Sequence, residues 1–220
     1  GQLWLARYGV GLQRLDLETE EIVATYGHDP EDEESLGDDR VMAVFPGQDG
    51  TLWLATRSGI ERFDPAAGRF TRYLHHPEDP RGVPERVFAV YDDGVGKTWL
   101  GTEGDGLQQF DPTAGVVTMA YKEGDGLPNN VVYSVLPDEG GKLWLSTNNG
   151  LARFDPEAEV FQTYTSQDGL QSNEFNWGAQ FRAPDGELFF GGISGINAFY
   201  PQEIVSNPYV PPVVITEILL

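Results

Sequence analysis

Short apolar runs recur along the chain with the period-two alternation of β-strands and are separated by turn-forming residues. Val41-Met42-Ala43-Val44-Phe45, Val87-Phe88-Ala89-Val90-Tyr91 and Val131-Val132-Tyr133-Ser134-Val135 open three similar segments, and Phe175 to Phe181 opens a weaker one. A Trp-bearing run follows each: Leu52-Trp53-Leu54-Ala55-Thr56, Trp99-Leu100-Gly101-Thr102 and Leu143-Trp144-Leu145-Ser146-Thr147, with Leu3-Trp4-Leu5-Ala6 before them and Leu188-Phe189-Phe190-Gly191-Gly192 after. The aromatic positions are 49, 46, 45 and 45 residues apart. A third run keeps phase with the second, as in Gly59-Ile60-Glu61-Arg62-Phe63-Asp64-Pro65, Gly106-Leu107-Gln108-Gln109-Phe110-Asp111-Pro112 and Gly150-Leu151-Ala152-Arg153-Phe154-Asp155-Pro156. In it Ile60, Arg62 and Asp64 point one way while Glu61 and Phe63 point the other. A fourth run ends on or near a Tyr, as in Arg69 to Tyr73, Val116 to Tyr121 and Val160 to Tyr164.

Asp- and Gly-containing turns at 48–50, 92–94, 138–141 and 184–186 precede second runs, and Asp-Pro turns at 64–68 and 111–115 precede fourth runs, so the unit reads as a four-stranded antiparallel meander. A period near 45 residues with four strands per unit predicts an all-β fold, a β-propeller built of blades. Repeats fall near 1–30, 41–74, 87–122, 131–165 and 175–201, which gives about 18 strands distributed three, four, four, four and three. An arc of this size leaves sheet edges unpaired and therefore reads as part of a larger ring. The recurring Trp is expected between sheets, in the core, and the Asp-Pro pairs are turn formers.

The unit G-x-LW-[LI]-[GA]-T … GL-x-[RQ]-FDP resembles the propeller repeat of two-component regulators, found in the extracytoplasmic sensor regions of bacterial hybrid histidine kinases. The closing stretches Asp168 to Asn176, Gly191 to Pro201 and Asn207 to Thr216 are similar to the last blade and exit of that region. The resemblance implies a seven-bladed ring and a following immunoglobulin-like triple-tyrosine domain, so residues 1–202 are expected to be propeller and residues 203–220 an exit linker with a first sandwich strand at 213–219. It also implies a periplasmic or extracellular location, a dimeric receptor, and kinase activity in regions outside this chain. Its partners would be the remaining blades or the sandwich domain of the same receptor.

Blade topology separates two faces. Turns between first and second strands and between third and fourth strands are short and standardised, and they share one face. Turns between second and third strands share the other face with the long, polar blade-to-blade connections 27–40, 75–86, 122–130 and 166–176. Variable polar loops on a rigid scaffold are where binding sites are built. On that face Arg57, Glu103, Asn148, Asn149, Asn173, Asn176 and Trp177 are candidates for a small polar ligand, carbohydrate or oligosaccharide in class, because they supply a forked donor, amides, a carboxylate and a stacking ring.

Composition narrows the chemistry. Fourteen Lys and Arg against 35 Asp and Glu give a formal charge of −21, with no basic cluster, which excludes nucleic acid as a partner. The absence of Cys excludes disulfides and thiolate metal sites. No Gly-x-Ser-x-Gly elbow, phosphate-binding loop or kinase motif is present. His75 and His76 beside Glu78 and Asp79, and the acidic stretches Asp29–Glu34 and Glu103–Asp105, lack metal-ligand spacing, so neither a metal nor a cofactor is expected. The leading reading is a non-catalytic sensor segment. Alternatives are a propeller lyase acting on polysaccharide or cyclic peptide, for which His75, His76 and Tyr8 are the candidate bases, and a protein-interaction scaffold.

Overall fold

A computed structural model describes residues 1–204. The expected sandwich strand at 213–219 lies outside the described residues. Among the described residues eighteen strands form five antiparallel sheets. The first holds β1 (Gln2–Arg7), β2 (Gly11–Asp16) and β3 (Ile22–Tyr26). Three complete four-stranded blades follow: β4 (Val41–Pro46) to β7 (Arg69–Leu74), β8 (Val87–Asp92) to β11 (Val116–Tyr121), and β12 (Val132–Pro137) to β15 (Val160–Tyr164). The last sheet is β16 (Phe175–Arg182), β17 (Leu188–Gly192) and β18 (Gly195–Phe199). Each sheet runs in sequence order, and packing between sheets passes through β1, β4, β8, β12 and β16, the innermost strands. This is the all-β propeller arrangement that the repeat predicts.

Turn chemistry sets the meander. The Asp64 carboxylate accepts the N–H groups of Ala66 and Ala67 (2.8 and 3.2 Å), and Asp111 does the same for Thr113 and Ala114 (2.8 and 3.1 Å). Asp satisfies the backbone of its own turn while Pro fixes the next φ, which is why the Asp-Pro pair recurs.

The core lies in the seams between sheets, and the repeated aromatics build each seam in the same way. Trp and Tyr of one blade clasp the Phe that precedes Asp-Pro in the next. Trp4 and Tyr26 hold Phe63 at centroid distances of 5.5 and 4.7 Å; Trp53 and Tyr73 hold Phe110 at 6.4 and 4.9 Å; Trp99 and Tyr121 hold Phe154 at 5.6 and 4.7 Å. Trp144 meets Phe199 at 4.8 Å. Edge and tilted geometries of this kind add to the burial of apolar area. The tyrosine tips reach across as well: the Tyr73 hydroxyl donates to the Pro112 carbonyl (2.9 Å) and that of Tyr121 to Glu159 (3.1 Å).

Connections between blades are plugged into these seams by one aliphatic residue each. Leu36, Val83 and Leu127 are buried, and Leu170 packs against the fourth seam. His28 and His75 fasten two of the plugs, each donating from Nδ1 to the plug's own carbonyl, Leu36 at 2.8 Å and Val83 at 2.7 Å.

Candidate functional site

The innermost strands begin with a register shift. Val41, Val87 and Val132 pair with Thr56, Thr102 and Thr147, yet the next paired residues are Ala43, Ala89 and Ser134. One residue per strand is thereby pushed off the ladder: Met42, Phe88 and Tyr133. A bulge re-aims a side chain in this way and is common beside binding sites. In β16 the slip is longer, because Phe175 pairs with Gly192 and the next pair is Gln180 with Phe190, leaving residues 176–179 outside the ladder.

That long bulge carries Trp177 from the last sheet onto the third. Its indole N–H donates to the Phe88 carbonyl (3.1 Å), and its ring lies 5.6 Å from the Phe88 ring. Phe88 in turn stacks on Tyr133 at 5.5 Å with planes 24° apart. Three inner strands therefore contribute to one aromatic shelf on the face that bears the blade connections. Trp177 remains 43% exposed.

Polar groups rim the shelf. The Arg86 guanidinium sits 5.8 Å from the Phe88 ring centre and forms an ion pair with Glu103. Glu85, Arg86, Glu103, Gly104 and Asp105 surround a shallow pocket of about 210 Å³. On the other side the Tyr133 hydroxyl donates to the Asn148 amide oxygen (2.9 Å). Further round, Arg40 chelates Asp38 through Nε and Nη2 (2.8 and 2.6 Å), and those hydrogen bonds hold the Asp38 carboxyl below its ordinary range. An aromatic surface beside a forked cation, a carboxylate and an amide can stack a ring and bond to hydroxyls.

Of the residues singled out from sequence, Trp177, Asn148 and Glu103 come together at this shelf, and Asn176 stands exposed in the same bulge. Asn149 uses its amide to donate to the Pro128 carbonyl (3.2 Å). Asn173 closes its own connection: its side-chain oxygen accepts from the Ser166 N–H and its carbonyl accepts from the Gly150 N–H, both at 2.7 Å. Arg57 is exposed on the β5–β6 turn, and no hydrogen bond or ion pair among the described residues joins it to the shelf. Phe88, Tyr133 and Arg86 were not among the sequence candidates. They sit at strand starts that read as core, and the only signal was that Met42, Phe88 and Tyr133 are large while the position after them is always small.

His75 lies in a connection where its Nδ1 is engaged with Val83, and Tyr8 bridges to Arg40 through the backbone. No cluster of three or more acidic or histidine side chains spaced for a metal occurs among the described residues. A cavity of about 500 Å³ lies elsewhere, on the last sheet around Phe181, Phe189 and Ile196.

The fold and its in-phase motifs define a β-propeller repeat protein whose loop-bearing face carries an aromatic shelf. The two-component regulator propeller model matches residues 126–149, which span one connection, β12, β13 and the turn bearing Asn148 and Asn149. The chain is 29% identical to Histidine kinase P4 of Formosa agariphila over 98% of its own length and 16% of that protein. It is similar to the extracellular domain assigned to the hybrid two-component system BT3049 of B. thetaiotaomicron, at 26% identity and a TM-score of 0.73, covering 92% of this chain and 26% of that one. Virginiamycin B lyase from Staphylococcus aureus shares the fold at 16% identity and a TM-score of 0.63, covering 90% of this chain and 66% of that one. The chain thus carries a two-component regulator propeller repeat at residues 126–149 and, over nearly its whole length, is similar to parts of two-component system proteins. It spans about a sixth of the curated relative and about a quarter of the receptor ectodomain. Among the described residues no helix is long and apolar enough to cross a membrane.

Proposed function

We propose that this chain is an extracytoplasmic, non-catalytic ligand-sensing segment of a two-component receptor, and that the shelf formed by Trp177, Phe88 and Tyr133 receives a small polar ligand of the carbohydrate class. The observation that carries the reading is the long bulge in β16, which holds an indole exposed on a loop-bearing face within a rim of Arg86, Glu103 and Asn148. The apolar face of a sugar ring stacks on an aromatic, and its hydroxyls pair with amides and charged groups. Glu103 and Asp38 are both engaged by arginines, which suits recognition more than proton transfer.

Signalling on this reading requires a ligand that prefers one arrangement of the receptor, since equal affinity for two arrangements shifts nothing. The remaining blades, the sandwich domain and a dimer of the whole receptor would carry that preference onward. Thermal-shift screening of the complete ectodomain against an oligosaccharide panel tests the proposal, because selective binding to the folded state raises its melting temperature. Trp177→Ala is expected to weaken a selected saccharide by about tenfold, the loss of its exposed stacking ring, and Phe88→Ala to weaken it by removing the buried ring on which Trp177 rests. Unchanged affinity in both variants would remove the shelf from consideration, and conversion of the saccharide during incubation would replace sensing with catalysis.

A further inference from the structure

Glu61 is the second residue after Gly59 in the third strand of its blade, and the corresponding positions in the other sheets are Gln13, Gln108, Ala152 and Asn197. Three of those four are neutral amides. In the last sheet the Asn197 oxygen accepts the N–H of Gln171 from the incoming connection (3.0 Å). Glu61 makes the same kind of bond, its Oε2 accepting from Gly37 at 2.8 Å, and so anchors the connection 27–40 to β6. The difference is charge. Glu61 is 0% exposed, and its other oxygen, Oε1, has no hydrogen-bond partner.

The groups facing it do not neutralise it. Arg72 on β7 is the nearest cation, but its guanidinium is turned to the connection, donating to the Ser35 carbonyl (2.9 Å), the Asp32 carbonyl (2.8 Å) and the Ser35 hydroxyl (2.9 Å). Asp38 on the connection adds like charge, His28 is the other titratable neighbour, and β5 presents the apolar Leu54 in register. A buried carboxylate with one N–H donor is poorly compensated, and protonation removes the charge that burial penalises.

We propose that Glu61 is a proton-linked latch: protonated, it holds connection 27–40 closed against the blade, and ionised, it favours release of that connection. The connection carries Asp38, Asp39 and Arg40, and Asp39 accepts the N–H groups of Gly9 and Gly11 through its carbonyl (2.9 and 3.1 Å), so release alters the loop-bearing face. Burial raises the Glu61 carboxyl from its ordinary 4.5 to about 7. A group whose closed-state pKa is raised favours closure below its open-state value and loses that contribution as pH rises through the interval, here from 4.5 to about 7, with no further change above it.

Hydrogen exchange of the intact receptor chain, corrected for the intrinsic pH dependence of amide exchange, tests the latch without reference to any ligand. In the wild type, protection of residues 28–38 is expected to fall roughly fifty-fold between about pH 5 and about pH 7.5. Residues 166–173, anchored on the amide of Asn197, serve as the internal control and stay level. Glu61→Gln is expected to retain protection at both pH values. Loss of protection in both connections alike, a level profile for 28–38 in the wild type, or an undiminished pH dependence in Glu61→Gln would each overturn the proposal. The comparison of the two wild-type connections stands even if the variant does not fold.

Discussion

Phe63, Phe110, Phe154 and Phe199 occupy equivalent places, and three of them are each clasped by a Trp and a Tyr from the neighbouring blade. Truncating one empties a seam whose lining cannot collapse, because both sheets are tied by their ladders. Phe110→Ala is therefore expected to cost about 3–5 kcal/mol, read as a lower denaturant midpoint with an unchanged slope. Two asparagines make the opposite comparison. Asn173→Ala removes the acceptor that closes connection 166–173 and should lower stability by about 1–2 kcal/mol, whereas Asn148→Ala loses one exposed bond to Tyr133 and should leave stability nearly unchanged. Sequence separates them poorly. Both are polar loop residues on the same face, and what divides them is which backbone N–H lies within reach, a property of the folded connection. The core tryptophans were readable because a large aromatic recurring in phase has to pack against a neighbour. Phe88 and Tyr133 were not, because a one-residue bulge reverses the face that strict alternation assigns them.

Glycines at the level of single elements show how local geometry enforces the repeat. Gly150 starts β14 at φ +101°, and a Cβ there would overlap the Tyr164 carbonyl oxygen of the neighbouring fourth strand. Gly169 ends the 3₁₀ turn Ser166–Asp168 at φ +100°, but open space surrounds it. The two alanine variants should thus differ. Gly169→Ala meets only the backbone penalty of a left-handed residue, about 1 kcal/mol. Gly150→Ala adds a clash that must part β14 from β15, and it should cost at least about 2 kcal/mol more and strip exchange protection from β15 before the rest of the blade. Strand positions were legible because turn residues bracket each apolar run. The shape of β16 was not: Asn176-Trp177-Gly178-Ala179 continues an apolar strand by composition, and only pairing with β17 shows that these residues leave the ladder. The candidate site was therefore half visible, its rim in the loops and its floor concealed within strands.

Among the described residues the seam rule leaves one hole and one knob unfilled. The last sheet places Phe189 where the other blades have Trp, beside Phe181 at 60% and Ile196 at 70% exposure, around the cavity of about 500 Å³. At the opposite end the first sheet presents Leu15 in the position of Phe63, on a sheet that also exposes Leu3 and Leu17. Apolar faces of this kind belong against another sheet. Produced alone, residues 1–220 are expected to self-associate head to tail, the first sheet of one molecule on the last sheet of the next. Such contacts are heterologous and give open series when the rotation does not close. The charge of −21 opposes association at low ionic strength, so added salt should strengthen it. Sedimentation velocity across a concentration series reads this directly. Phe181→Glu with Ile196→Lys should return the polypeptide to a monomer with an unchanged far-ultraviolet spectrum, and Leu3→Lys at the other end should do the same. A monomeric wild type at every concentration and salt level, or a double variant that associates as before, would mean that these faces are covered from within the chain.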